Sequence, residues 1–166
     1  MIVKDAMVLI HLAKMSILRK SCEYFKQVLI PTEVYEEIMK GKDSEHYDLK
    51  IIEEEIKVKR IAVEEVVNKD LIKKVNNFNV YGGEAEAVAL YWEKDAEYLA
   101  SDDNNIRKKK ELFELNIIGT PAIVVALYRK GSIGEEKYLK SIDLLKKIGW
   151  FSSSVIDMMK MEVKNG

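Results

Sequence analysis

Short apolar runs alternate with longer stretches of helical periodicity along this chain. Met1–Lys4 reads as an apolar strand ending on Asp5, and helices follow over Ala6–Lys14 and Ser16–Phe25. Gln27–Ile30 is a second strand. Pro31–Lys40 is a helix stopped by Gly41, and Pro31, like Pro121 later, sits at a helix start where a missing N–H costs nothing. Asp48–Glu55 reads as helix, Lys57–Ile61 as an edge strand, and Glu64–Val75 carries apolar residues at helical spacing. Gly82-Gly83 opens a helix over Glu84–Glu93, where Ala85, Val88, Ala89 and Trp92 share a face. Glu97–Ala100 is a strand running into Ser101-Asp102-Asp103. Helix Asn105–Leu115, strand Asn116–Ile118 and helix Thr120–Arg129 come next. Two amphipathic helices come last: Gly134–Ile148, stopped by Gly149, and Ser153–Val163, capped by Ser152 or Ser153.

Strands that alternate with helices predict an α/β fold, a three-layer α/β/α arrangement around a central parallel sheet of short strands. The length, 166 residues, suits one domain over 1–166, with a core over about 1–130 and C-terminal helices over about 134–163. No repeat, low-complexity segment or Pro/Gly/Ser linker interrupts it.

Charge and cysteine content narrow the classes. A net charge of −1 excludes a strongly basic nucleic-acid-binding domain, so any affinity for nucleic acid must be local. A single cysteine, Cys22, rules out an intramolecular disulfide and a cysteine-based zinc site, and makes a reducing cytoplasm the expected compartment. No run approaches the roughly 18 apolar residues of a membrane span, and neither a signal peptide nor a lipidation box is expected.

In open parallel sheets ligands bind at the carboxyl ends of the strands, and acids gather there in this sequence. Asp5 ends the first strand and Asp102-Asp103 end a later one. Glu84 and Glu86 lie in the first turns of a helix starting on that edge, and Glu33, Glu36 and Glu37 lie on the helix after Ile30. Crowded carboxylates repel one another where water is scarce. A hard cation such as Mg²⁺ or Mn²⁺, which prefers oxygen ligands, relieves that repulsion and can act on a phosphoryl group. Any one of these acids also has an ordinary explanation as a helix cap or dipole partner; the combination points to chemistry.

Other residues carry weaker signals. Ser101 is placed to hydrogen-bond a ligand carboxylate or a phosphate, or to serve as a turn residue, as are Asn104 and Asn105. Arg107-Lys108-Lys109-Lys110 can hold a nucleic-acid backbone or form a solvated helix face; Lys57, Lys59 and Arg60 are similar but less specific. His11 and His46 lack the paired spacing of a metal motif, and His11 is expected to be partly packed. Cys22 reads as a small core residue. Tyr81, Tyr91 and Trp92 can stack a base, although core packing is the commoner fate of such spacing. Met158, Met159 and Met161 form an adaptable apolar strip for docking on the chain's own domain, a partner helix or a twin subunit.

These motifs resemble those of PIN domains. Val3-Lys4-Asp5-Ala6 running into Leu9, Leu12 and Ala13 is similar to the opening of that family, and Leu29-Ile30-Pro31-Thr32-Glu33-Val34-Tyr35-Glu36-Glu37-Ile38 to its second motif. Gly83-Glu84-Ala85-Glu86-Ala87-Val88-Ala89-Leu90 and Leu99-Ala100-Ser101-Asp102-Asp103 resemble the third and fourth. Gly119-Thr120 before an apolar helix resembles a feature of one prokaryotic subgroup. The resemblance covers roughly residues 1–130 with the motifs in order.

It implies a Mg²⁺- or Mn²⁺-dependent ribonuclease, homodimeric, in many relatives the toxin of a toxin–antitoxin pair and so a partner of an antitoxin protein. By motif the catalytic, metal-binding acids are Asp5, Glu37, Glu84 and Asp103, with Glu86 and Asp102 as alternative or outer ligands. Glu36 lies about 100° around the helix from Glu37, so only one of the two can face the site well. Ser101, Asn104, Arg107 and Lys108 are the expected nucleic-acid contacts. A non-catalytic RNA-binding or protein-interaction module on the same fold is the main alternative. A phosphoacceptor signalling domain fits poorly, because Gly119-Thr120-Pro121 after the last strand supplies no lysine. The phosphate-binding glycine loops of nucleotide sites are absent.

Overall fold

The computed structural model describes residues 1–41 and 47–165; His46 lies outside them. The described elements are β1 (Ile2–Lys4), α1 (Ala6–Lys14), α2 (Leu18–Phe25), β2 (Val28–Pro31), α3 (Thr32–Lys40), α4 (Tyr47–Lys57), β3 (Ile61–Glu64), α5 (Lys69–Asn76), α6 (Gly82–Glu93), β4 (Tyr98–Ala100), α7 (Asn104–Lys108), β5 (Ile117–Ile118), α8 (Thr120–Arg129), α9 (Glu135–Ile148) and α10 (Ser153–Asn165). The strands form one all-parallel sheet in the order β3-β2-β1-β4-β5. Helices cover both faces, which is the three-layer α/β architecture expected.

The two-residue period of a strand divides the sheet between two cores. Ile2, Val28, Ile30 and Ala100 join the larger core, which also holds Leu9, Leu12, Ile38, Ile52, Val124, Tyr138 and Ile156. Val3, Leu29 and Leu99 point the other way, toward Val75, Ala85, Val88, Ala89 and Phe113. The inner strands are therefore apolar on both faces, as parallel strands buried on both sides must be, whereas the edge strand β3 exposes Ala62 and Val63 and ends on Glu64. Lys4 is an exception in type: it is wholly buried, its Nζ donates to Ser21 Oγ at 2.5 Å and lies 5.3 Å from the centre of the Phe25 ring. Among the described residues no helix is long and apolar enough to cross a membrane.

Several boundaries differ from the sequence reading for local reasons. The segment Lys57–Ile61 is not the edge strand. α4 runs on to Lys57, Lys59 turns the chain with φ of 64°, and pairing begins with Ile61 against Val28. The helix expected from Glu64 starts at Lys69, where Asn68 accepts a hydrogen bond from Asp70 N as its cap. The helix expected over Asn105–Leu115 is only Asn104–Lys108, and Glu114, with φ of 52°, turns the chain before β5. Ser16, with φ of 57°, likewise delays α2 to Leu18.

The strand order reverses direction at β1, with β2 on one side and β4 on the other. Such a switch point opens a crevice at the carboxyl ends of the two strands. Asp5 and Ser101-Asp102-Asp103 follow those two strands.

Candidate functional site

At the switch point β1 and β4 stay paired to their last residues, and Asp5 N donates to Ala100 O at 3.1 Å. Asp5 then caps α1, its Oδ1 accepting from Val8 N at 2.9 Å, and is only 5% exposed. Ser101, also buried, ties the two strand ends together. Its hydroxyl hydrogen-bonds the Asp5 carboxylate and its Oγ accepts from Asp103 N at 3.2 Å. Asp103 caps α7, with Oδ1 accepting from Ile106 N at 2.9 Å. Both acids are thus fixed by helix caps, and each spends one oxygen on a backbone N–H.

Two helices bring the other acids. Glu84, half-buried in the first turn of α6, is hydrogen-bonded to Asp103, a carboxyl–carboxylate contact that requires a shared proton. Glu37 reaches across from α3, and its Oε1 accepts from Gly83 N at 2.9 Å. A Cβ at position 83 would lie 2.7 Å from both Glu37 carboxylate oxygens, so glycine permits this approach.

Burial is the main cause that pushes Asp5 up to about 7; the Ser101 and Val8 hydrogen bonds oppose it, and the charges of Asp102 and Glu84 add to it. Glu84 is also pushed up to about 7, first by burial, then by the charge and hydrogen bond of Asp103 and the charge of Glu37. Among the described residues no three His, Cys, Asp or Glu side chains already converge as a metal-binding group. The acids are instead neighbours that repel one another, relieved in part by a proton. Their oxygen-only chemistry suits a hard cation such as Mg²⁺ or Mn²⁺, which would replace that proton as the relieving charge.

The other two candidate ligands are engaged elsewhere. Asp102 is enclosed by its partners, with its side chain 1% exposed. Its Oδ2 accepts from His11 Nδ1 at 2.9 Å and from the Thr120 hydroxyl, and its Oδ1 accepts from Thr120 N at 2.7 Å. Glu86 Oε2 accepts from Glu33 N at 3.0 Å, stitching α6 to the first turn of α3. His11 is therefore fully packed and paired.

On the rim, Asn104, Arg107 and Lys108 are exposed at or just after the Asp103 cap. Arg107 Nη1 donates to Ser101 O at 3.2 Å, and Asn105 donates to Asn79 O at 3.0 Å. Tyr91 and Trp92 serve structure: the Tyr91 hydroxyl accepts from Asn116 N, and the Trp92 indole donates to Phe113 O. Tyr81 is 61% exposed. Arg60 clasps the buried Glu55. Cys22 is buried on the far side, and burial pushes its thiol up to about 11, so it is no nucleophile. Sequence reasoning passed over Trp150, which packs edge-on against His11 with ring centres 5.3 Å apart while staying 56% exposed. The available signal was a Trp-Phe pair in the short link between Gly149 and the next helix cap.

A PIN-domain family model (DUF3368) matches residues 1–163. No curated protein and no solved structure matches the chain.

Proposed function

Since the chain belongs to the PIN-domain family, whose members are generally nucleases, we propose that it hydrolyses RNA phosphodiesters using Mg²⁺ or Mn²⁺ held by Asp5, Glu37, Glu84 and Asp103. The observation that carries this reading is the gathering of acids from four segments at the switch point, with Asp5 and Glu84 both raised to about 7 by burial and by neighbouring carboxylates. Acids raised by burial and by specific charged neighbours at a sheet's carboxyl edge mark a functional site.

Each residue has a physical task. Asp5 is oriented by Val8 N and the Ser101 hydroxyl, and Asp103 by Ile106 N, so each offers its other oxygen in a fixed direction. Glu37 is steadied by Gly83 N. Glu84 holds a proton against Asp103, and would release it if a divalent cation were bound there. When bound, the ion supplies Lewis-acid activation of water and neutralises charge on the phosphoryl oxygens. Asn104, Arg107 and Lys108 lie beside Asp103 where a flanking phosphate backbone would pass. The family resemblance also carries the homodimer and antitoxin readings, which light scattering and co-purification test.

The experiment is cleavage of labelled single-stranded and structured RNAs by purified protein with Mn²⁺, Mg²⁺ or EDTA, beside Asp5→Asn. Metal-dependent cutting that disappears in the variant is the expected result. Folded protein that cuts no RNA with either metal would favour the non-catalytic module.

A further inference from the structure

The link between α5 and α6 borders the acidic edge and ends on Tyr81. A Cβ on the next residue, Gly82, would lie 3.4 Å from Glu37 Oε1; Gly83 N holds that same carboxylate, and Glu84 follows. Successive Cα atoms are about 3.8 Å apart, so Tyr81 stands one and two such steps from the glycines that meet Glu37. The link is tied to the Asp103 side as well. Asn79 O accepts at 3.0 Å from Nδ2 of Asn105, which lies two residues past Asp103 on α7. Asn79 and Gly82 take positive φ, 59° and 61°, so the backbone turns on either side of Tyr81, and asparagine and glycine are the residues that accept that conformation. Tyr81 itself is 61% exposed, with its hydroxyl 3.4 Å from Asn79 Oδ1 and no aromatic partner among the described residues. The neighbouring rings are used for packing: Phe78 and Trp92 both stand edge-on to Phe113, at 5.4 and 5.6 Å between ring centres.

We propose that Tyr81 is a base-stacking residue of this site, taking the unpaired base of the nucleotide beside the scissile phosphate in a single-stranded RNA. The proposal rests on the nuclease reading above and names the form of RNA that the site takes. A phosphodiester held at Asp5, Glu37, Glu84 and Asp103 carries a nucleoside on each side, and its bases fall on whatever borders those acids. Tyr81 borders them through Gly82 and Gly83 with its ring uncovered. Unpaired bases stack on aromatic faces whatever their identity. A base inside a duplex has both faces covered by its neighbours and offers none to the ring. A tyrosine side chain has only two torsions to fix, and this one stands on a link pinned at Asn79 and Gly83, so little freedom is lost when a base settles on it.

The test uses the full chain and labelled single-stranded RNA. In EDTA, Tyr81→Ala should weaken binding, read by anisotropy, by about tenfold, and Tyr81→Phe should recover most of it. In Mn²⁺, Tyr81→Ala should raise KM for cleavage by a similar factor and leave kcat near its parent value, the signature of lost uniform binding. An abasic residue beside the mapped cut should weaken binding to the wild type about as much and leave Tyr81→Ala unchanged, because the two changes delete one contact. Mn²⁺ affinity in calorimetry should be the same in the wild type and Tyr81→Ala. A thermal melt shows that each variant is folded. A ring that only props Gly83 and Glu84 would instead lower kcat and Mn²⁺ affinity together, and that result overturns the stacking role. So does unchanged RNA affinity in Tyr81→Ala, or an abasic residue that weakens both proteins alike. If the wild type still cuts RNA in these cases, only the stacking role falls. A wild type that binds RNA through Tyr81 without cutting it removes the nuclease reading alone, and one that neither binds nor cuts RNA removes both.

Discussion

Asp102 and Asp103 are adjacent in sequence but occupy opposite surroundings. The Asp102 pocket is closed and satisfied: its carboxylate accepts from His11, Thr120 N and the Thr120 hydroxyl. The Asp103 side is an excess of like charge: Glu84 meets Asp103 and Glu37, Asp5 feels the charges of Asp102 and Glu84, and protons are held up to about 7. The same residue type does two jobs because its partners differ. A buried carboxylate with a full set of donors belongs to the fold. Buried carboxylates facing one another leave a need that the protein itself does not meet.

Substitutions can pull the two regions apart. The largest expected effect is at Asp5. Asp5→Asn should reduce RNA cleavage on the order of 10²- to 10³-fold, as loss of a fixed electrostatic group does. Asparagine caps helices as well as aspartate, so a melt in EDTA at neutral pH should show no loss of stability, and even a gain. Loss of stability there would contradict the idea that Asp5 is held at a cost. Asp102→Ala should behave in the opposite way. It leaves Thr120 N, the Thr120 hydroxyl and His11 without their acceptor, and should cost about 3 kcal/mol by denaturant titration; an unchanged midpoint would remove Asp102 from the framework.

A smaller effect is expected at Gly83. Gly83→Ala puts a methyl group 2.7 Å from both Glu37 oxygens, so the end of that flexible side chain must shift from the position it holds on Gly83 N. Mn²⁺ affinity should fall about 10- to 100-fold, the range for disturbing groups around a metal, with little change in metal-free stability. Equal affinity in calorimetry would take Glu37 out of the ligand set.

The smallest effect is on pH dependence. Asp5 and Glu84 bind protons more tightly folded, at about 7, than at their ordinary values of 3.8 and 4.5. Their contribution to stability is therefore full below about 4 and is lost as pH rises through 7. The metal-free melting temperature should drift down between about pH 5 and 8, and added Mn²⁺ should raise it more at the upper end. A metal-induced shift that is the same at both ends would contradict this linkage.

The sequence made the fold largely legible, because apolar runs of strand length alternate with helical periods and the inner strands need apolar residues on both faces. That acids gather at one edge could be read from the strand ends at Asp5 and Asp102-Asp103 and from the helix start after Gly82-Gly83. Less legible was anything fixed by distant partners. Nothing local distinguishes Asp102 from Asp103, since the His11 that claims Asp102 lies 91 residues earlier. Glu84 and Glu86 share the start of α6, and the contact that occupies Glu86 comes from Glu33 on another helix. The late start of β3 and the short α7 follow from residues in the left-handed region, Lys59 and Glu114, that carry no glycine signal.

Titration calorimetry with Mn²⁺ at pH 7, run in two buffers of different ionisation enthalpy, tests the central claim most directly. With Asp5 and Glu84 both pushed up by burial and neighbouring carboxylates, binding should release protons in the wild type and be strongly weakened in Asp5→Asn. Folded protein that binds no Mn²⁺, or binds it equally well in Asp5→Asn, would contradict the claim that this acidic edge is a cation site.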